Sequence, residues 1–106
     1  MSTDLLQAVG LTKSEAKIYL ALVDCGSSST GPLMSKAKVS ASKIYIILDR
    51  LIEKGLISFV HSGKRRIYQA SPPEALRDYL SDRERHHKEQ RQKIEQLILN
   101  LECRSS

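Results

Sequence analysis

"VSASKIYIILDRLIEKGL", Val39–Leu56, is the stretch whose reading decides the fold. Small hydroxyl residues open it, an apolar run fills it, a charged patch follows and Gly55 interrupts it. Ser40 is a natural N-cap and Gly55 a natural C′ residue, so the spacing predicts a helix over about 41–54. At about 100° per residue, Ile47, Leu48 and Leu51 fall within about 60° of Ile44, with Ala41 and Ile52 on one flank. That face is expected to be core. Ser42, Ile46, Asp49 and Glu53 lie on the far side, Lys43 and Arg50 stand beside them, and Tyr45 sits at the border.

Upstream, "STGPLMSKAKV" places Pro32 where only the first turn of a helix tolerates it. A short helix from about Pro32 to Ala37 buries Leu33, Met34 and Ala37, and Lys38 and Val39 turn the chain into the next helix. Two helices joined by so short a turn make a helix-turn-helix. Before them, Thr12 and Glu15 form a T-x-x-E capping box, with Leu11 placed to staple onto Ala16. That helix runs to about Asp24 and is largely buried, its polar stripe reduced to Lys13, Ser14, Lys17 and Asp24. At the N-terminus, Ser2 is expected to cap a short helix carrying Leu5, Leu6 and Val9.

After Gly55 the apolar period changes from 3.6 to 2. "LISFVHS" and "RRIYQAS" read as a β-hairpin over about 57–70, turned at Ser62–Gly63–Lys64. Ile57, Phe59, Ile67 and Tyr68 are the expected packing residues, and Lys64, Arg65 and Arg66 lie at or beside the tip. A helix-turn-helix followed by a basic hairpin is the layout of a winged helix. The fold class is therefore mainly α with a small β-hairpin wing over 1–72.

Ser71, Pro72 and Pro73 start a last helix over 73–106, with no breaker for about 28 residues. Leu76, Leu80, Arg83, His87, Gln90, Ile94, Leu97 and Leu101 recur at spacings of four and three, the seam of a coiled coil. Its ends are apolar and its middle is polar. The rod either folds back on its own domain or, as we expect, pairs with the same helix of a second chain. A twofold dimer would set two recognition helices on half-sites one or more turns of DNA apart. The polar middle either fixes register or marks a splayed, wet stretch.

Charge agrees with a nucleic-acid partner without requiring one. The chain of 106 residues carries a net charge of +5, and residues 1–72 hold ten basic against five acidic side chains. Within Lys36–Arg66 there are eight basic residues against Asp49 and Glu53. Such a surface is either a polyanion site or merely a solvated basic face. In the first reading the helix over 41–54 enters a major groove with its N-terminal end, where small residues permit close approach and Ile46 can meet a thymine methyl. In the second, Ser40 and Ser42 are caps, Lys43 is solvated and Ile46 meets a neighbour.

Other classes find little support. There is no glycine-rich phosphate loop, Cys/His cluster or H-E-x-x-H, so neither an enzyme nor a cofactor is expected. Cys25 and Cys103 have no disulfide spacing, no apolar run reaches the length of a membrane span, and a cytoplasmic setting is the default expectation. His86 and His87 point about 100° apart on a helix and cannot chelate one ion without ligands from a partner chain. His61 in the hairpin is expected to face phosphate or solvent.

The blocks "VGLTKSEAKIYLAL" (9–22), "STGPL" (29–33), "SKIYIILDRLIEKGLI" (42–57) and "PPEAL" (72–76) are in order and ungapped. In them the chain resembles the TrmB family of mainly archaeal winged-helix transcriptional regulators, from about Leu5 to Leu76. The resemblance implies that Ser42, Lys43 and Tyr45 lie on or beside the DNA-facing part of the recognition helix, and that the helix after "PPEAL" pairs two subunits. Three departures matter. Fuller members continue into a sugar-sensing domain with no counterpart in this sequence, so sugar control is not carried over. Lys38 stands where the family's turn commonly has glycine, and Ile46 occupies a position often polar in relatives.

The expectation is thus a homodimeric, sequence-specific binder of double-stranded DNA. Ser40, Ser42, Lys43, Tyr45, Ile46 and Arg50 would face the groove. Lys36 and Lys38 would lie beside the backbone, and Lys64, Arg65 and Arg66 would sit on it. A winged-helix protein-interaction module, or a regulator with a small effector at the dimer helix, is the alternative.

Overall fold

In a computed structural model describing residues 3–105, the elements run α1 (Asp4–Ala8), α2 (Lys13–Cys25), β1 (Ser27–Ser28), α3 (Thr30–Ala37), α4 (Ala41–Glu53), β2 (Ile57–Ser62), β3 (Arg65–Ala70) and α5 (Ala75–Ser105). The three strands form one antiparallel sheet in the order β1-β3-β2. The expected hairpin is present, with Phe59 opposite Tyr68 and Ser62 opposite Arg65. The strand β1, opposite Gln69 and Tyr68, was not expected from the sequence. The expected Ser2 cap lies outside the described residues.

Helix boundaries follow their local chemistry. Thr12 accepts from the Glu15 N–H at 3.1 Å and the Glu15 carboxylate accepts from the Thr12 N–H at 2.9 Å, completing the capping box that starts α2. α3 begins two residues before Pro32, which still falls in the first turn. Lys38 closes α3 in the left-handed region, at φ 55° and ψ 49°, and is the one non-glycine residue with positive φ among those described. A side chain there is strained by about 1–2 kcal/mol, which gives a physical sense to the glycine expected at this turn. Ser40 is the N-cap of α4 by position only. Its hydroxyl makes no capping bond and instead lies 3.0 Å from that of Ser42. Lys54 caps α4 at its far end, one residue earlier than the expected stop, and Gly55 completes the turn.

The core is one cluster. α4 contributes Ile44, Ile47, Leu48 and Leu51, as the helical projection predicts, whereas Ala41 is exposed rather than core. α2 brings Ala16, Ile18, Tyr19, Ala21 and Leu22, and the sheet adds Ile57 and Tyr68. Among the described residues Glu15 is the one charged side chain buried with them. Burial by itself would raise its pKa. The Lys54 ammonium, the Thr12 N–H and the Thr12 hydroxyl outweigh that and hold the carboxyl below its ordinary 4.5. The ion pair ties the start of α2 to the C-cap of α4 across 39 positions of sequence.

The first two turns of α5 belong to this body. Tyr79 is buried and donates its hydroxyl to the Val9 carbonyl at 3.0 Å, and Arg83 lies over the Tyr79 ring. Gly10 turns the chain there at φ 109°, a conformation that favours glycine. From Glu84 to Arg104 every residue of α5 is exposed, and the helix does not fold back. The molecule measures 63 × 29 × 29 Å with a radius of gyration of 18.1 Å, against about 13 Å for a compact chain of similar length. No helix among the described residues is long and apolar enough to cross a membrane.

Candidate nucleic-acid interface

Because one face of α4 is committed to the core, the opposite face is presented outward. Ser42, Lys43, Asp49, Arg50 and Glu53 are exposed, and Tyr45 and Ile46 each keep 54% of their surface accessible. Ile46 therefore has no neighbour within the chain sufficient to cover it. The helix begins with two hydroxyls bonded to each other rather than to the backbone, so they leave the first-turn N–H groups of α4 without a side-chain cap.

The wing stands beside this face. Two residues, Gly63 and Lys64, connect β2 to β3, and strict strand alternation sends Arg65 and Arg66 to opposite sides of the ribbon. Arg66 shares its face with Phe59 and His61. Its guanidinium sits 4.3 Å from the centroid of the Phe59 ring, which His61 meets edge-on at 5.5 Å. Arg66 is thus held in place by a cation–π contact rather than swinging free at the tip.

Between wing and helix lies an open cleft of about 650 Å³, lined by Ser29, Thr30, Gly31, Pro32, Tyr45, Lys64, Arg65, Arg66 and Tyr68. Three cations and no carboxylate line it. The first turn of α3 and Tyr68 are members of this wall that sequence reasoning assigned elsewhere. Pro32 marked the helix start, but only the fold brings that start opposite the wing.

The remaining candidates are placed differently. Lys36 is held 3.7 Å from Asp24 and 3.6 Å from the Cys25 sulfur, against the end of α2. Lys38 is exposed at the turn, and Arg50 lies two turns along α4 from Lys43. On α5, Arg83 packs against its own domain, while Leu80, His87, Gln90, Ile94, Leu97 and Leu101 are exposed and Leu76 is half-buried. Ile98 and Leu99 add exposed apolar surface that the 3.5-residue seam omitted. Among the described residues no group of three or more His, Cys, Asp or Glu is placed to hold a metal ion.

A buried-core helix-turn-helix with an outward recognition helix and a basic hairpin defines a winged-helix protein. The family model described as "Sugar-specific transcriptional regulator TrmB" matches residues 6–74, and the chain belongs to the TrmB family. The sugar-sensing regulator TrmBL1 of Pyrococcus furiosus is 35% identical over 85 residues, covering 76% of this chain and 25% of that protein. The structure of TrmBL2, described as an archaeal chromatin protein with a novel mode of DNA binding, superimposes with a TM-score of 0.77 at 30% identity. That match covers 93% of this chain and 39% of TrmBL2. A possible transcriptional regulator from Methanosarcina mazei shares the fold alone, at 15% identity and a TM-score of 0.67 over 87% of this chain and 83% of its own. The chain thus spans well under half the length of the first two relatives.

Proposed function

We propose that this chain binds double-stranded DNA as a homodimeric transcriptional regulator, with α4 in the major groove and the wing on the backbone. The observation that carries the reading is the pairing of an outward Ser42–Lys43–Ile46 surface with a carboxylate-free cleft under three wing cations. Phosphate contacts would position the protein and the α4 face would read bases. Membership of a family of transcriptional regulators, and the DNA binding described for TrmBL2, support this.

The dimer rests on α5. About 21 exposed residues ending in Ile94, Leu97, Ile98 and Leu101 leave an apolar strip in water, and an unsupported helix of that length is marginal. A second copy of the helix covers the strip. Light scattering should give twice the 11.9 kDa chain mass, and a clean monomer would remove the dimer from the proposal.

Gel shift with genomic fragments at two salt concentrations tests the DNA reading. We expect at least one fragment to resist random competitor, with affinity falling steeply as salt rises. If no fragment survives competition, the outward Ile46 instead favours a protein-docking module.

A second observation favours an effector. An apolar groove of about 680 Å³, lined by residues including Leu5, Tyr19, Leu22, Val23 and Leu76, lies where α1 and α2 meet the start of α5. A small apolar ligand there would couple to the dimer helix. A screen by thermal shift should find compounds whose stabilisation is lost in Leu5→Lys, at an exposed position of the groove, and a screen without such a compound removes the effector.

A further inference from the structure

The seam of α5 has a symmetry of its own. Leu80, His87, Ile94 and Leu101 hold one repeating position, and Leu76, Arg83, Gln90 and Leu97 hold the other. Turned end for end, the row falls on itself with the two positions exchanged. Leu76 meets Leu101, Leu80 meets Leu97, Arg83 meets Ile94 and His87 meets Gln90. Parallel helices set each position against its own kind, whereas antiparallel helices set each against the other, so an antiparallel pair uses this symmetry.

The symmetry also sorts the residues by character. No apolar residue occurs from Glu84 to Lys93, while Leu76 and Leu80 precede that stretch and Ile94, Leu97 and Leu101 follow it. Antiparallel pairing lays leucine on leucine at both ends and leaves His87 beside the partner's Gln90 in the polar middle. The flanks discriminate more strongly. Glu84 and Arg91 are both exposed, and in an antiparallel pair Glu84 comes nearly level with the partner's Arg91, a contact that the twofold makes twice. A parallel pair instead sets His86 beside the partner's Arg91, offers Glu84 the partner's Tyr79, and brings Arg83 against the partner's Arg83. One arrangement gains two contacts of opposite charge, and the other places like charges on its seam.

The start of α5 is open to such a neighbour. Its first two turns are anchored to the body through the buried Tyr79, yet Leu80 keeps 40% of its surface. Leu76 is half-buried and lines the apolar groove beside α1 and α2. At the far end of the same helix, Leu97 and Leu101 are exposed and out of reach of their own body.

We propose that α5 pairs antiparallel with α5 of a second copy, so that the partner's Leu97 and Leu101 close over Leu80 and Leu76 at the mouth of the groove. This rests on the homodimer reading and adds to it an orientation, a register and a contact surface. The two winged bodies then stand at opposite ends of the rod. The groove is completed in the dimer alone, and an apolar ligand in it would meet both subunits.

One sample decides the orientation. In the full chain carrying Cys25→Ser, a nitroxide is attached at the exposed Cys103 and the broadening of amide resonances is mapped. Along its own helix Cys103 lies about 40 Å from Leu76, too far to broaden that end. The partner's label should therefore broaden Ala70–Leu76 and Val23 as well as the last turns of α5. Broadening confined to the last turns, in a particle of twice the chain mass, means parallel helices and overturns the proposal. A particle of single chain mass removes the homodimer reading itself, which light scattering on the same sample reports separately. Sedimentation tests the register. Glu84→Arg should raise the dimer dissociation constant about tenfold, since two attractive contacts become repulsive. Arg91→Glu should do the same, and the two reversals together should restore association. Broadening at Leu76 without that mutual rescue overturns the register.

Discussion

The two ends of α4 are built on opposite plans. At the C-terminal end the cap turns inward: Lys54 caps the helix and reaches the buried Glu15, which in turn closes the capping box of α2. At the N-terminal end the polar groups face out. Ser40 and Ser42 bond each other, Lys43 is exposed, and Lys38 holds a strained turn. The same contrast separates the helix starts. α2 is capped twice by side chains, whereas α3 and α4 each begin at a serine that caps nothing. Polar groups satisfied within the chain maintain the fold, and those left open mark the surface offered to a partner.

The contrast can be broken most forcefully from the closed end. Lys54→Met strands the buried Glu15 carboxylate, and we expect unfolding in urea to show a loss of about 3–5 kcal/mol. The pH dependence has a definite sign. Because the folded pKa of Glu15 is lowered, its contribution is full above the ordinary 4.5 and disappears as pH falls through the folded value. Glu15→Gln should therefore lose stability near neutrality and show a flatter acid limb in thermal melts. If both variants melt as the wild type does, the closed end is not closed.

At the open end the effects should appear in binding rather than folding. Lys43→Ala is expected to weaken duplex affinity by about 1–3 kcal/mol in fluorescence anisotropy, with an unchanged melting temperature. Arg65→Ala with Arg66→Ala should reduce the slope of log affinity against log salt by about two, if each cation meets a phosphate. An unchanged slope would count against wing contact with the backbone. The smallest effect is conformational. Lys38→Gly relieves the left-handed turn and should raise stability by about 1 kcal/mol, measurable by chemical denaturation.

Much of this plan can be read from the chain before folding. The capping box at Thr12 and Glu15, the core face of α4 and a wing turn around Gly63 are local patterns, each set by residues within a few positions of one another. What escaped the sequence is long-range or depends on register. Ser27–Ser28 carries no periodicity and becomes a strand only because β3 lies alongside. The Glu15–Lys54 pair joins residues 39 positions apart, so a carboxylate read as a cap is also a charge buried in the core. Arg66 differs from Arg65 only through the hairpin register, which lays it on Phe59. The cleft was hidden for the same reason, since Tyr68 reads as packing and "STGP" as a helix start until the sheet brings them to the wing.

The most direct test of the open-end account is an amide chemical-shift map of the full chain titrated with duplex DNA. The account predicts that shifts concentrate at Ser29–Gly31, Ser40–Ile46 and Lys64–Arg66, and that Glu53–Gly55 stays nearly still. Shifts confined to α5, or centred on Lys54 with Ser40–Ile46 unmoved, would contradict it.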